Sequence, residues 1–287
     1  MPSRFCVLAS GSAGNSAFLQ HDQFGLLIDA GIGPRVLGAR LASIGASWRN
    51  VNAVILTHTH TDHWKELTLR QLNQLRIPIY CAPSHGASLT RNSSNFNDLN
   101  AIGLVRHIHE AVPFDVGGGM TCRPILVPHD SEPTFAFRID GPPGLFDAQW
   151  SLGYAADLGH APAHLLDAFA DTSVLAIEFN HCVQMQKMSG RPRILIDRVL
   201  GEHGHLSNEQ AAEAVTAIVA RSSPGTLRHL VQLHLSRDCN RPTLAAEYGE
   251  KALATCSSTA LVTTAQQFRA SRIISLEGTT TKRGTAA

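Results

Sequence analysis

Residues 57–63 read T-H-T-H-T-D-H and follow the apolar run Val54-Ile55-Leu56. Three histidines and one aspartate, His58, His60, Asp62 and His63, fall within six residues. Imidazole and carboxylate are ligands of divalent zinc, manganese, iron or nickel. Along an extended loop, alternation puts His58 and His60 on one side. A helix opening near Asp62 would turn that residue and His63 toward a neighbouring point. The arrangement favours two adjacent metals over one. The alternative is a polar loop with chance histidines, but four good ligands this close are hard to explain by packing.

Other polar residues sit where apolar runs stop. Asp29 closes G-L-L-I-D, His129 closes I-L-V-P-H, Asp157 closes G-Y-A-A-D, and His234 lies in L-V-Q-L-H-L-S. Each alone reads as a strand-end cap or a satisfied core residue. Together with the 57–63 cluster they supply one shared rim. A first metal would take His58, His60 and His129, and a second would take Asp62, His63 and His234. Asp157 would bridge both through its two oxygens. Paired metals about 3.5–4 Å apart generate a hydroxide at neutral pH and clamp a scissile phosphate or carbonyl.

These residues need a frame. Strand-like runs occur at 5–9, 26–29, 53–57, 77–81, 125–127, 134–139, 151–155, 174–178 and 230–235. Helical patterns lie at 34–44, 63–75, 161–170, 208–220 and 243–254. Several early strands follow one another without helices between them, so two mixed sheets with helices outside fit better than a doubly wound sheet. The chain has 287 residues, 44% hydrophobic, 16% charged, with a net charge of +1. That is a globular composition with length for one large core. It excludes a strongly cationic surface while leaving room for a local patch. No run reaches the ~20 apolar residues of a membrane helix. The six cysteines form no C-x-x-C pair, and without a signal peptide the default address is a reducing cytoplasm. One domain over 1–278 with a frayed tail at 279–287 is the expected organisation.

H-x-H-x-D-H after a strand, then His129, Asp157 and His234 at later strand ends, resembles the metallo-β-lactamase fold superfamily over about residues 5–254. That resemblance implies an α/β (α+β) fold, a four-layer αββα sandwich, with a dinuclear site at one edge. Asp29 would orient the metal loop from behind. The strings L-A-S-G-S-A-G-N-S, P-H-D-S-E-P, G-Y-A-A-D-L-G, E-F-N-H, G-H-L-S-N and H-L-S-R-D-C-N-R-P resemble the YycJ/WalJ-like branch, thought to contain 5′-to-3′ DNA exonucleases. G-H-L-S-N-E-Q-A-A, with H-L-S at His234, is similar to the histidine-bearing loop of RNase Z. By that likeness His205 would protonate the leaving oxygen and Glu178 would orient it. Ser12, Asn15, Asn180 and His181 fall where they would touch substrate or support the ligands. Asn180-His181 is followed by Cys182 where the branch usually has aspartate, which bears on substrate preference. No tRNA-gripping arm and no β-CASP insert is evident.

The residues by themselves also admit plainer roles. The 10–16 turn would offer backbone N–H groups to an anion or merely join two strands. Ser207 or Asn208 would cap a helix after His205. His107, His109, His160 and His164 read as surface. Arg191, Arg193 and Arg198 read equally as a solvated helix face or as phosphate contacts. The expected function is a metal-dependent phosphodiesterase, with nucleic acid, DNA more than RNA, as substrate. Two zinc ions, or manganese or iron, are the expected cofactors, with no membrane partner. The rivals are a thioester or lactone hydrolase, which requires a narrow apolar pocket, and a non-catalytic metal-binding protein.

Overall fold

The computed structural model describes residues 3–131, 133–142 and 149–276. The expected boundary at 278, the tail at 279–287 and Glu132 lie outside the described residues. Strands β1 (Arg4–Ala9), β2 (Ser16–His21), β3 (Phe24–Ile28), β4 (Ala53–Ile55), β5 (Ile79–Cys81) and β6 (Val105–His107) form one sheet in chain order. The second sheet contains β7 (Phe114–Gly117), β8 (Met120–Val127), β9 (Thr134–Asp140), β10 (Ser151–Ala155), β11 (Val174–Glu178), β12 (His229–Leu233) and β13 (Leu261–Thr264), also in chain order. β14 (Ile274–Ser275) returns to pair with β1.

Period-two alternation divides each strand between two cores. In β1, Phe5 and Val7 face the second sheet while Cys6 and Leu8 face outward. In β11, Val174 and Ala176 face inward while Leu175 and Ile177 face out. Burial on both faces is why these strands read as continuous apolar runs. Helices α1 (Pro34–Ser43), α2 (Glu66–Leu75), α3 (Pro83–Asn92) and α4 (Ser94–Ala101) cover the outside of the first sheet through Leu37, Leu69, Leu89 and Phe96. Helix α5 (Ala163–Ala168) covers the second sheet through Leu165. Two short helices follow, α6 (Val183–Lys187) and α7 (Arg193–Leu200). Helices α8 (Asn208–Arg221) and α9 (Pro242–Thr255) complete the outer layer through Val215 and Leu253. The order is helix, sheet, sheet, helix, as the sequence implied. No helix among the described residues is long and apolar enough to cross a membrane.

One expected boundary is corrected. The helix anticipated from residue 63 begins at Glu66. His63 and Trp64 are instead drawn onto the end of β3: Ala30 N donates to His63 O at 2.9 Å, and Ala30 pairs with Trp64 as an isolated parallel bridge. The metal-type loop is therefore stitched to a strand rather than coiled.

The two sheets hold together through their inner faces. Phe137, fully buried between them, is a strong probe of that layer. Phe137→Ala should lower stability by about 3–5 kcal/mol, read as a reduced urea midpoint. A loss below about 1 kcal/mol would mean the layer collapses to fill the cavity.

Candidate metal centre

The strands deliver the polar residues to one edge. β3 runs parallel to β4, and β10 parallel to β11 and β12. β8 reaches the same direction through two antiparallel pairings. Asp29, His58, His129, Asp157 and His234 thus follow, and Glu178 ends, strands that stop at a common rim. Two of them, Asp29 (φ 63°) and His234 (φ 52°), have left-handed backbones. That conformation is unfavourable for a residue with a Cβ and recurs at sites where structure over-determines it.

Three imidazoles converge first. His60 Nδ1 lies 3.1 Å from His58 Nε2 and 3.4 Å from His129 Nε2. Ligands of a tetrahedral zinc ion with bonds near 2.0–2.1 Å are about 3.3 Å apart, so the spacing fits a shared cation. The outer nitrogens are oriented. His129 Nδ1 donates to Gly204 O at 2.9 Å, and His58 Nδ1 lies 3.0 Å from Thr57 Oγ1. Burial holds all three imidazoles below their ordinary pKa, His58 furthest, where the charge on His63 adds to the effect. They are neutral near pH 7, the form that binds metal.

The second cluster is charged. His63 Nδ1 lies 2.7 Å from Asp29 Oδ2, and its Nε2 lies 2.9 Å from Asp157 Oδ2 and 3.6 Å from Asp62 Oδ2. His234 Nδ1 contacts Asp157 Oδ1 closely and Glu178 Oε1 at 3.0 Å, and its Nε2 lies 3.7 Å from Asp62 Oδ2. Burial opposes protonation of His63, but Asp29 and Asp157 outweigh it and carry His63 to about 10. His234 is likewise raised well above its ordinary value against burial, by Asp157 and Glu178. Asp157 is held well below the usual carboxylate range, the charges of His234 and His63 overcoming its burial. Even so, His234 Nε2 and Asp157 Oδ2 are buried without a hydrogen bond of good geometry. Such orphans are costly, and a cation held beside Asp157 would satisfy them. Donor atoms close enough to share an ion fall into three groups, His58 with His60 and His129, His58 with His63 and Asp157, and Asp157 with Glu178, His205 and His234, while Asp62 stands in none of them. Buried imidazoles and carboxylates converging in this way fit divalent metal.

A third group flanks these. His205 Nδ1 lies 2.8 Å from Glu178 Oε1 and 3.3 Å from Asp157 Oδ1. Glu178 Oε2 accepts from the backbone N–H of Leu158 and Leu206 at 3.1 and 3.0 Å. Burial works against a charge on His205, but Glu178 and Asp157 outweigh it and raise it to about 9. The helix cap expected after it is present: Ser207 Oγ accepts from Gln210 N, with the reciprocal bond from Ser207 N to Gln210.

A cavity of about 450 Å³ opens over these groups, lined by Ser12, Asn180, Arg191, Arg198 and His205 beside the cluster, with Leu195 and Val199 as its apolar residues. Asn15 Nδ2 reaches Asp62 Oδ2 at 3.2 Å and His63 Nε2 at 3.1 Å, and Asn180 Nδ2 donates to His234 O at 2.8 Å. His181 is buried and does not line the cavity. The anion reading of the 10–16 turn is not supported. The N–H groups of Gly11, Ala13, Gly14 and Asn15 are engaged by Asn15 Oδ1, Gln267 Oε1, Gly11 O and Asp62 O. Close approach explains its glycines: a Cβ on Gly14 would lie 2.2 Å from Gly31 O. Sequence reasoning missed Asp130, which holds Arg198 and lies 3.4 Å from Nε2 of both His60 and His129. Its place directly after His129 was the available signal. Thr57 was missed too. Its backbone N–H and hydroxyl both engage the Asp29 carboxylate.

A family model described as the beta-lactamase superfamily domain matches residues 25–224. Exodeoxyribonuclease YycJ of Bacillus anthracis is 28% identical over 253 residues, which span 85% of this chain and 87% of that protein. The metallo-beta-lactamase fold protein YhfI of Bacillus subtilis matches in structure with a TM-score of 0.67 at 17% identity, covering 97% of this chain and 100% of that one. The short form of human tRNase Z matches with a TM-score of 0.60 at 15% identity, covering 95% and 99%. The two structural matches are likenesses of fold.

The contrast between the clusters predicts two kinds of metal binding. Uptake by His58, His60 and His129 should be nearly independent of pH from 7 to 9, because those rings are already neutral. Uptake by Asp62, His63 and His234 must displace the protons that the raised values hold, so it should tighten as pH rises across that range. Calorimetric zinc titration of metal-free protein at several pH values reads both steps. Two steps with the same pH dependence would contradict the assignment.

Proposed function

The chain belongs to the beta-lactamase superfamily and is a metal-dependent hydrolase, and from that premise we propose that its substrate is a phosphodiester of nucleic acid. The observation that carries the reading is His205, held by Glu178 beside the His/Asp cluster. Esters with good leaving groups need no such donor, whereas phosphodiester cleavage expels an alkoxide that does. The cavity wall supports the same choice. It presents Arg191 and Arg198, and only Leu195 and Val199 among its lining residues carry large apolar side chains, while a thioester or lactone hydrolase requires a narrow apolar pocket. The likeness to the Bacillus anthracis exodeoxyribonuclease supports DNA and exonuclease action, and the 5′-to-3′ direction rests on the branch resemblance.

Two divalent ions held by His58, His60 and His129, and by Asp62, His63 and His234, with Asp157 between them, would stabilise phosphoryl charge and activate the attacking water. Zinc suits a donor set this rich in imidazole, with manganese or iron as alternatives. The remaining work falls to the chain. Asp29 fixes the His63 ring through Nδ1, and Thr57 fixes Asp29. Glu178 holds Nδ1 of His205, which leaves Nε2 as the nitrogen available to the leaving oxygen. Glu178 and Asp157 raise His205 to about 9, and a cation held by Asp157 would offset part of that pull.

Asp62→Ala should abolish hydrolysis of bis(p-nitrophenyl) phosphate, with circular dichroism unchanged. Retained turnover at unchanged metal content would sink the dinuclear assignment. Thioester or lactone turnover alone in the wild type would transfer the protein to the small-molecule reading. His205→Ala should cost about 10²–10⁴-fold in kcat on DNA and far less on the p-nitrophenyl diester, whose leaving group departs unprotonated. Equal losses on both substrates would remove His205 from the proton-donor role.

A further inference from the structure

A 450 Å³ cavity has room for one nucleotide's reacting phosphate and sugar, and so leaves open whether the substrate is a small diester or a polymer. The adjoining helices α6 and α7 bear on this. Residues 183–200 carry four cations, Lys187, Arg191, Arg193 and Arg198, against one carboxylate, Asp197. Arg191, Leu195, Arg198 and Val199 form a wall of the cavity. Beyond that wall, Met188 is 76% exposed and Ile194 is 82% exposed. The Arg193 side chain is 83% exposed. Of the apolar residues of α7, only Ile196 is buried.

Met188 and Ile194 add nothing to this chain's core, and what sets them apart from other exposed apolar residues such as Leu67 and Phe268 is their place among cations next to the cavity wall. The occupant must offer negative charge and flat apolar faces in alternation. Single-stranded nucleic acid does so, whereas a duplex hides its base faces by stacking. The arginines are paired, Arg191 with Asp238 at 2.7 Å, Arg193 with Asp197 at 2.9 Å, and Arg198 with Asp130. The Arg193–Asp197 pair is exposed at both ends and contributes little, and Asp238 is also exposed, so a phosphate can replace those carboxylates. The surface is also continuous with the cavity, since α7 supplies both.

We propose that the α6–α7 segment is the binding track for single-stranded nucleic acid entering the site. Phosphates lie on Arg191 and Arg198 at the cavity and on Lys187 and Arg193 beyond it. Bases pack on Met188 and Ile194, with Met supplying a polarisable, adaptable contact. The inference rests on the phosphodiesterase reading and deepens it: the substrate is a polymer engaged over several nucleotides.

The test compares the metal-loaded wild type with Lys187→Ala/Arg193→Ala and Met188→Ser/Ile194→Ser. Substrates are 5′-phosphorylated single-stranded oligonucleotides of increasing length, a duplex of the same sequence, and bis(p-nitrophenyl) phosphate. Wild-type KM should fall with length on single strands. Each double variant should raise KM for long strands roughly tenfold. The basic variant should make the salt dependence shallower by about 0.7 per phosphate contact removed. Diester turnover, confined to the cavity, should stay within about twofold. Length dependence unaltered in both variants, with diester turnover intact, overturns the track alone. Binding to phosphatidylglycerol vesicles without any length dependence on oligonucleotides overturns it in favour of a lipid surface. Absence of diester and oligonucleotide turnover in the wild type removes the phosphodiesterase reading itself.

Discussion

Two carboxylates buried at the junction of the sheets, Asp157 and Glu178, constrain everything around them. A carboxylate withdrawn from water must find cations or several hydrogen bonds, because its desolvation cost otherwise drives it to take up a proton. Here each is surrounded. Asp157 faces His63, His205 and His234, and Glu178 faces His205, His234 and two backbone N–H groups. The imidazoles answer a charge that the fold places there first. Removing either carboxylate would weaken the upward shift of His205 and His234, which both of them face, while Asp29 would still support His63.

That placement follows from strand direction. In sheets with parallel runs, the carboxyl ends of strands gather on one edge, where backbone groups and side chains converge on a ligand. β3, β4, β8, β10, β11 and β12 all end there, two in the first sheet and four in the second. The 57–63 loop could not hold its four ligands unaided. It is pinned by Asp29 through Thr57 and His63, by Asn15 N donating to Asp62 O at 2.7 Å, and by the Ala30–Trp64 bridge. A Cβ on Gly31 would lie 1.7 Å from Asp62 O, so the glycine at that crossing is a condition of the loop's position.

The His/Asp cluster was legible because its chemistry is dense and local. The central strands were legible because burial on both faces makes them continuously apolar. What was missed has physical reasons. β6 and β7 lie at sheet edges, are short and bury only Val116 fully, so their patterns are weak. α3 and α4 are rich in Ser and Asn, poor helix formers. They are fixed by tertiary contact, with Glu66 accepting from Ser94 and Asn95 side chains and from Asn95 N. The double duty of Glu178, on His205 and His234 together, depends on the pairing of β11 with β12, which no local string encodes. Asp130 sat inside a recognised motif, but its role needs Arg198, distant in sequence.

The helix that lines the cavity also positions His205, the proposed proton donor. His205 N donates to Val199 O at 3.0 Å, and Gly204 N to Gly201 O at 2.9 Å, so the end of α7 runs directly into the loop bearing His205. A Cβ on Gly204 would lie 2.3 Å from the carbonyls of Arg198 and Val199, which leaves no slack between them. Gly204 O in turn orients His129. The stretch from Arg198 to His205 therefore links a cation on the cavity wall, a ligand of the neutral cluster and the acid beside Glu178 within eight residues. Any movement of Arg198 on exchanging Asp130 for a phosphate must be carried by the same short segment that positions both histidines. If substrate is gripped at Arg198 as proposed, grip and chemistry would be joined through this segment, because close backbone packing transmits small shifts rather than absorbing them.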